Sequence, residues 1–252
     1  YGVEAGVTHY VGGNTYISGE LGYTHSNLNW ERDAGNARWS TLYFGPALGW
    51  TFDGFNGFAD VVLLGAINFY DVDRQIVFPG LDRVAYNRHN SYDVLLRADG
   101  GFRLECGKFF FQPEVSCSFL TIFEESYVEK GASSLDLRVD ANYHIYLRPE
   151  VTMRAGREWC LKKACLFPSV KIGWVSNIPL ASDTYSARFN NETFSDNNEF
   201  SVKSFHRVTN QLVVGGDVGM TSGRFSFIAG YEANFLDKSM VQEAKLRAEW
   251  AF

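Results

Sequence analysis

At 252 residues, with 46% hydrophobic and 21% charged residues, the chain has the bulk and composition of an ordered domain and no disordered bias. A formal charge of -6, a pI near 5.4 and basic residues scattered along the chain exclude nucleic acid as a partner. Aromatic residues make up 16% against only 6 prolines, which favours strands. No run approaches the roughly 18 consecutive apolar residues of a membrane helix, which leaves a membrane barrel open because its strands are only half apolar.

Period-two alternation, the mark of side chains taking opposite faces of a strand, recurs in about eleven segments. The first are "GVEAGVTHY" and "TYISGELGYTH", separated by the glycine turn "VGGN". A long polar stretch, "SNLNWERDAGNAR", leads to "WSTLYFGPALGWTF", and the short turn "DGFNG" to "FADVVLLGAINFY". "DVDRQIVFPGLDRVAYNRHN" reads as a long loop. In "YDVLLRADGGFRL" an apolar set, Tyr92, Val94, Leu96, Ala98, Phe102 and Leu104, opposes Asp93, Arg97, Asp99 and Arg103.

After the turn "ECG" comes "KFFFQPEVSCSFLTIF", and after the loop "EESYVEKGASS" the longest alternation, "LDLRVDANYHIYLRPEVTMR" from 135 to 154. Read as one strand, it puts Arg138, Asp140, His144, Arg148, Glu150 and Arg154 on one face. "REWCLKKAC" reads as a longish turn, "PSVKIGWVS" as a strand, and 176–203 as a long polar loop. The chain closes with "RVTNQLVVGGDVGM", the turn "TSG", "RFSFIAGYEANF", the short "LDKS" and "QEAKLRAEWAF". In that last stretch Leu246 and Trp250 share the apolar face with Phe252, and Lys245, Arg247 and Glu249 share the other.

Two environments suit such strands. A soluble sandwich or barrel turns the apolar face inward; an outer-membrane barrel turns it to lipid and lines a wet lumen with charge. Three features favour the second. Aromatics sit near strand ends, as at Trp39, Trp50, Phe225, Phe235 and Trp250, which suits an interfacial girdle. A soluble barrel of so many long strands has more interior than these side chains fill. Loops alternate short and long, as in bacterial barrels with short periplasmic turns and long outer loops. Counted back from a periplasmic C-terminus the strands are odd in number. Single-chain bacterial barrels have even numbers, so one further strand is expected upstream, giving an all-β antiparallel transmembrane barrel of about twelve strands.

The sequence resembles the C-terminal translocator domain of autotransporters, the type V secretion barrels, along essentially its whole length. "YGVEAGVTHYVGGNTYISGELGYTHSNLNW" resembles the early glycine-spaced hairpin of that domain. "FQPEVSCSFLTIFEESYVEKGASSLDLRV" resembles its proline-bearing strand, E-x-G-A loop and following strand, and "QEAKLRAEWAF" its closing strand with a terminal phenylalanine. The resemblance implies a twelve-stranded barrel with a lumenal helix and an N-terminal passenger before it. It also implies that the assembly machinery reads Leu246, Trp250 and Phe252 as a signal, and that the partners are outer-membrane lipid, that machinery and the passenger.

Arg97, Asp99, Arg103, Arg138, Asp140, Arg148, Glu150, Arg154, Lys245, Arg247 and Glu249 are expected to line the lumen, pairing across strands and leaving weak ion selectivity. Cys160 and Cys165 flank "CLKKAC", where an oxidising compartment permits a disulfide, although spacing alone leaves the pairing of four cysteines open. No histidine lies beside them to complete a zinc site. His144 beside Asp140 and Arg148 reads as a solvated lumen network ahead of an acid–base centre, and "NET" at Asn191 as a polar loop ahead of a glycosylation site. No catalytic, cofactor or metal centre is therefore expected. The readings from other classes are a free-standing porin or adhesin, whose outer loops bind, and a barrel hydrolase dependent on His144 or His25.

Overall fold

A computed structural model describes residues 1–30, 34–181, 184–190, 199–203, 207–237 and 239–251. Its strands are β1 (Gly2–Gly12), β2 (Thr15–Asn29), β3 (Gly35–Phe52), β4 (Gly57–Phe78), β5 (Leu81–Phe102), β6 (Leu104–Cys106), β7 (Phe109–Glu124) and β8 (Tyr127–Val128). They continue as β9 (Leu137–Val139), β10 (Asn142–Arg157), β11 (Trp159–Cys160), β12 (Cys165–Pro179), β13 (Thr184–Phe189), β14 (Glu199–Lys203), β15 (Thr209–Ser222), β16 (Phe225–Phe235) and β17 (Met240–Trp250).

One antiparallel sheet forms the wall, in the order β1-β2-β3-β4-β5-β7-β10-β12-β15-β16-β17, with β6 and β11 as short lips on β7 and β12. Each wall strand pairs with the next in sequence, as tight turns at one end dictate. The sheet curls so that one face is concave. Among the described residues β1 pairs only with β2 and β17 only with β16.

The sidedness is inverted relative to a water-soluble fold. Phe44 is 57% exposed, Val151 59% and Trp174 54%, whereas the largest apolar side chains fully buried are only Val175 and Val213. A soluble sandwich of this size hides its aromatics. The convex face here is an apolar belt, and only lipid covers such a face without cost. Between β2 and β16 each wall strand is hydrogen-bonded to a neighbour on both sides, which suits a wall lying in hydrocarbon.

Readings from the alternation change in three places. The polar stretch 176–203 is not all loop, since it carries the end of β12 and the strands β13 and β14. The stretch 71–90 is not a loop: β4 and β5 run through it for 22 residues each and meet at a turn of Pro79 and Gly80. Proline sets the first turn position, and Gly80 supplies the left-handed second one at φ 84°. At about 3.3 Å per residue, 22 residues reach roughly 70 Å, so this hairpin stands far out of a core roughly 30 Å thick.

Nor is 135–154 one strand. It breaks at Asp140 and Ala141, and β9 belongs to a second sheet of order β14-β13-β9-β8. The Asp136 carboxylate accepts the Ala132 backbone N–H at 2.7 Å, fixing a tight turn before β9, and the Asp140 N–H is taken by the carbonyl of Ser186 instead of a wall strand. Arg138 and Asp140 are therefore exposed on or beside this outer sheet and do not lie on the wall.

The second sheet is pinned to the tall hairpin. Arg74 of β4 clasps Glu129 with two hydrogen bonds, at 2.9 and 2.5 Å, and also donates to the Leu135 carbonyl. Ile76, Ala85 and Ala132 form a small core beneath these bonds. Tyr127 stacks on His89, which stacks on Tyr70. Burial, with Glu129 and Glu124 adding to it, pushes the Tyr127 hydroxyl up to about 12.

Candidate functional site

The concave face holds the chemistry. On β5, β7, β10, β12, β15 and β16 the polar members of each alternation point inward, and their charges join across strands. Asp99 accepts from Arg97 at 2.6 Å, and Arg97 reaches Glu150 at 3.6 Å across β7. Glu150 is 3.7 Å from Lys171, which lies 3.0 Å from Glu232 across β15. These five residues form one alternating belt from β5 to β16. Beside it Arg154 pairs with Asp217 at 3.3 Å, and Ser169 donates to the same carboxylate at 2.8 Å.

Of the residues expected in the lumen, Arg97, Asp99, Glu150 and Arg154 lie in or beside this belt. Arg103 closes the short-turn end, its guanidinium 4.0 Å from the centre of the Phe110 ring and its acids Glu105 and Glu158 at 3.3 and 3.9 Å. Arg148 is exposed on the inward parity of β10 and has no ion pair among the described residues. Lys245 and Arg247 pair along their own strand, with Glu243 at 3.2 Å and Glu249 at 2.6 Å. Lys171, Asp217 and Glu232 were not among the residues expected there; the inward parity of "PSVKIGWVS" and its neighbours is the signal that finds them.

From β1 to β5 the lumen is built differently. Tyr43 donates to Glu4 at 2.8 Å, Tyr16 donates to Asp60, and Asn68 donates to Asp93 at 2.8 Å. These carboxylates face neutral donors, and among the described residues Glu4, Glu20, Asp60 and Asp93 have no ion pair. The tyrosines cross the wall over glycines: a Cβ on Gly22 would overlap the Tyr43 ring, and one on Gly49 the Tyr16 ring. Glycine is needed at both positions because the phenol lies flat against the backbone.

Among the described residues the two histidines considered for hydrolysis, His144 and His25, sit in different settings. His144 is buried, bonded to the Tyr185 hydroxyl at 2.8 Å and 3.6 Å from Glu124, while Asp140 has left the wall. His25 shares a 3.1 Å hydrogen bond with Ser40 on the outer face, and no carboxylate orients it among the described residues. Cys160 and Cys165 are bonded to each other, with Cys106 and Cys117 free. Leu246 and Trp250 stand on the convex face, 78% and 65% exposed. Phe252, Asn191 and His206 lie outside the described residues.

A curled antiparallel sheet that is apolar outside and charged inside is matched, over residues 1–232, by the family model for the autotransporter beta-domain. The chain belongs to that family. The β domain of the Bordetella autotransporter BrkA is 20% identical, with a TM-score of 0.73 covering 100% of this chain and 90% of its own. The translocator domain of the Neisseria meningitidis autotransporter NalP is 17% identical, with a TM-score of 0.76 covering 100% of this chain and 80% of its own. Identities this low speak for the fold alone. No curated protein matches the chain in sequence. Membership makes this an outer-membrane β-barrel of type V secretion, the translocator class to which a passenger domain is attached.

The charged belt joins opposite charges across strands and so braces the concave side of the wall.

Proposed function

We propose that this domain carries its own N-terminal passenger across the outer membrane to the cell surface. The carrying observation is the combination of a bare apolar convex face with a lumen lined by paired charges. An extended polypeptide passes such a lining without being gripped, since the charges of the belt already hold one another. The reading assigns no bond-making step to these residues.

On this reading residues 1–252 are a single barrel domain, and one more strand, encoded before Tyr1, pairs with both β1 and β17. The outer edges of those two strands, unpaired among the described residues, support it, because an open edge is intolerable in lipid. The short turns then face the periplasm with the C-terminus, and the tall hairpin and second sheet face outward. The assembly machinery engages β17 through Leu246, Trp250 and Phe252.

Expression of the full reading frame in a Gram-negative host tests this. Protease added to intact cells is expected to remove the passenger while leaving the barrel. A passenger that stays protected behind a folded, heat-modifiable barrel overturns the proposal.

A further inference from the structure

We propose that the outer face at the short-turn end holds the phosphate of an anionic phospholipid, gripped by Arg157 between Phe109 and Trp159. The proposal rests on the membrane-barrel reading and names a lipid partner for it.

Arg157 pairs in register with Phe109, so both side chains share a face. Phe109 and Phe111 are exposed there, whereas Phe110 between them is buried on the luminal side. Trp159 pairs with Leu166 on the same outer surface. The Arg157 guanidinium carbon lies 5.2 Å from the centre of the Phe109 ring and 5.1 Å from that of Trp159. Two rings thus hold the planar cation at the edge of an apolar belt.

Its charge is not neutralised by the protein. Arg157 has no ion pair among the described residues, and its buried Nε has no hydrogen-bond partner. The nearby acids are turned away, since Glu105 and Glu158 both serve Arg103 over Phe110 on the luminal side. Lys108 adds charge from the β6–β7 turn, and Lys162 and Lys163 from the β11–β12 turn. The two lips are tied together where the Glu158 N–H donates to the Lys108 carbonyl at 2.9 Å.

At this rim Arg157 thus lies on the lipid side, while Glu105 and Glu158 lie with Arg103 on the lumen side. A guanidinium facing acyl chains is costly unless it reaches headgroups, and its fork of donors matches phosphate. Inorganic phosphate has the same chemistry, but the aromatic flanks and the adjoining Leu104, Phe111 and Leu161 suit a ligand with acyl chains.

The full protein in detergent, incubated with phosphatidylglycerol, phosphatidylcholine or inorganic phosphate, is weighed by native mass spectrometry. Wild type is expected to retain phosphatidylglycerol several-fold more than phosphatidylcholine. Arg157→Gln is expected to lose that excess while inserting into vesicles and shifting on heating as wild type does. Equal retention by Arg157→Gln, no preference between the lipids, or complete displacement by millimolar phosphate overturns the site. Should Arg157→Gln not fold, Phe109→Leu decides: it should lose part of the preference, and an unchanged preference overturns the proposal. Failure of wild type itself to enter vesicles counts against the membrane-barrel reading instead, so the two failures are distinguishable.

Discussion

The Lys171 ammonium stands 3.0 Å from the Glu232 carboxylate across an intervening strand, and 3.7 Å from Glu150 on the other side. Like Arg97 it stands between two acids of the belt, and its removal leaves Glu232 uncompensated while Glu150 keeps Arg97 at 3.6 Å. Lys171→Met is expected to destabilise the barrel by about 2 kcal/mol, near the lower end for breaking a partly buried pair. The temperature of the heat-dependent gel shift reads this. The double change with Glu232→Gln should recover most of the loss; a Lys171→Met barrel that melts with wild type removes the belt from the account of stability.

Gly22 lies beneath the Tyr43 ring. Gly22→Val forces the phenol off the wall and away from Glu4, an overpacking cost of about 1–3 kcal/mol. Slower assembly and a lower melting temperature are expected, with partial rescue by Tyr43→Ala. No rescue by that second change argues that the valine acts elsewhere.

Glu129 anchors the second sheet through Arg74. Glu129→Ala is expected to loosen residues 125–141 by about 1–2 kcal/mol, discounted because the guanidinium is partly open to water. Limited proteolysis should cut there in the variant and not in wild type, with the barrel itself intact.

Glu4, Glu20, Asp60 and Asp93 lack ion pairs, whereas on the inward face of β10 Arg148 alone is unpaired, among the described residues. The lumen is therefore expected to prefer cations, in contrast to the weak selectivity that balanced charge implies. A reversal potential measured across a planar bilayer in a potassium chloride gradient checks it; Asp60→Asn with Glu20→Gln should reduce the preference.

Trp250 is the aromatic foot of the exposed face of β17. Trp250→Asp, or deletion of Phe252, should lower the yield of heat-modifiable barrel in membranes several-fold. Undiminished yield from both variants sinks the role given to the terminal strand.

Alternation was enough to identify most wall strands and their two faces, and the aromatic ends and the loop lengths then turned the apolar face to lipid. A membrane barrel writes its two solvents onto alternate residues, and each strand pairs with its sequence neighbour, so parity nearly determines topology. The same signal misled at three places, the first being 176–203, whose polar residues hid the short strands β13 and β14. Residues 71–90 alternate less cleanly because one face of this hairpin packs against the second sheet, and the Pro79-Gly80 turn was hidden inside an apparent loop. Residues 135–139 alternate as well as any wall strand, yet β9 pairs with β13 in another sheet.

Parity reports that a strand is half buried, not which sheet buries it. For the same reason Arg138 and Asp140 were indistinguishable in sequence from Arg148 and Glu150. Which charges meet is likewise a tertiary matter: Arg97 and Glu150 come together only because β7 intervenes at a given register and the sheet curves toward its concave face. Curvature and register are properties of the whole wall, and no single strand carries them.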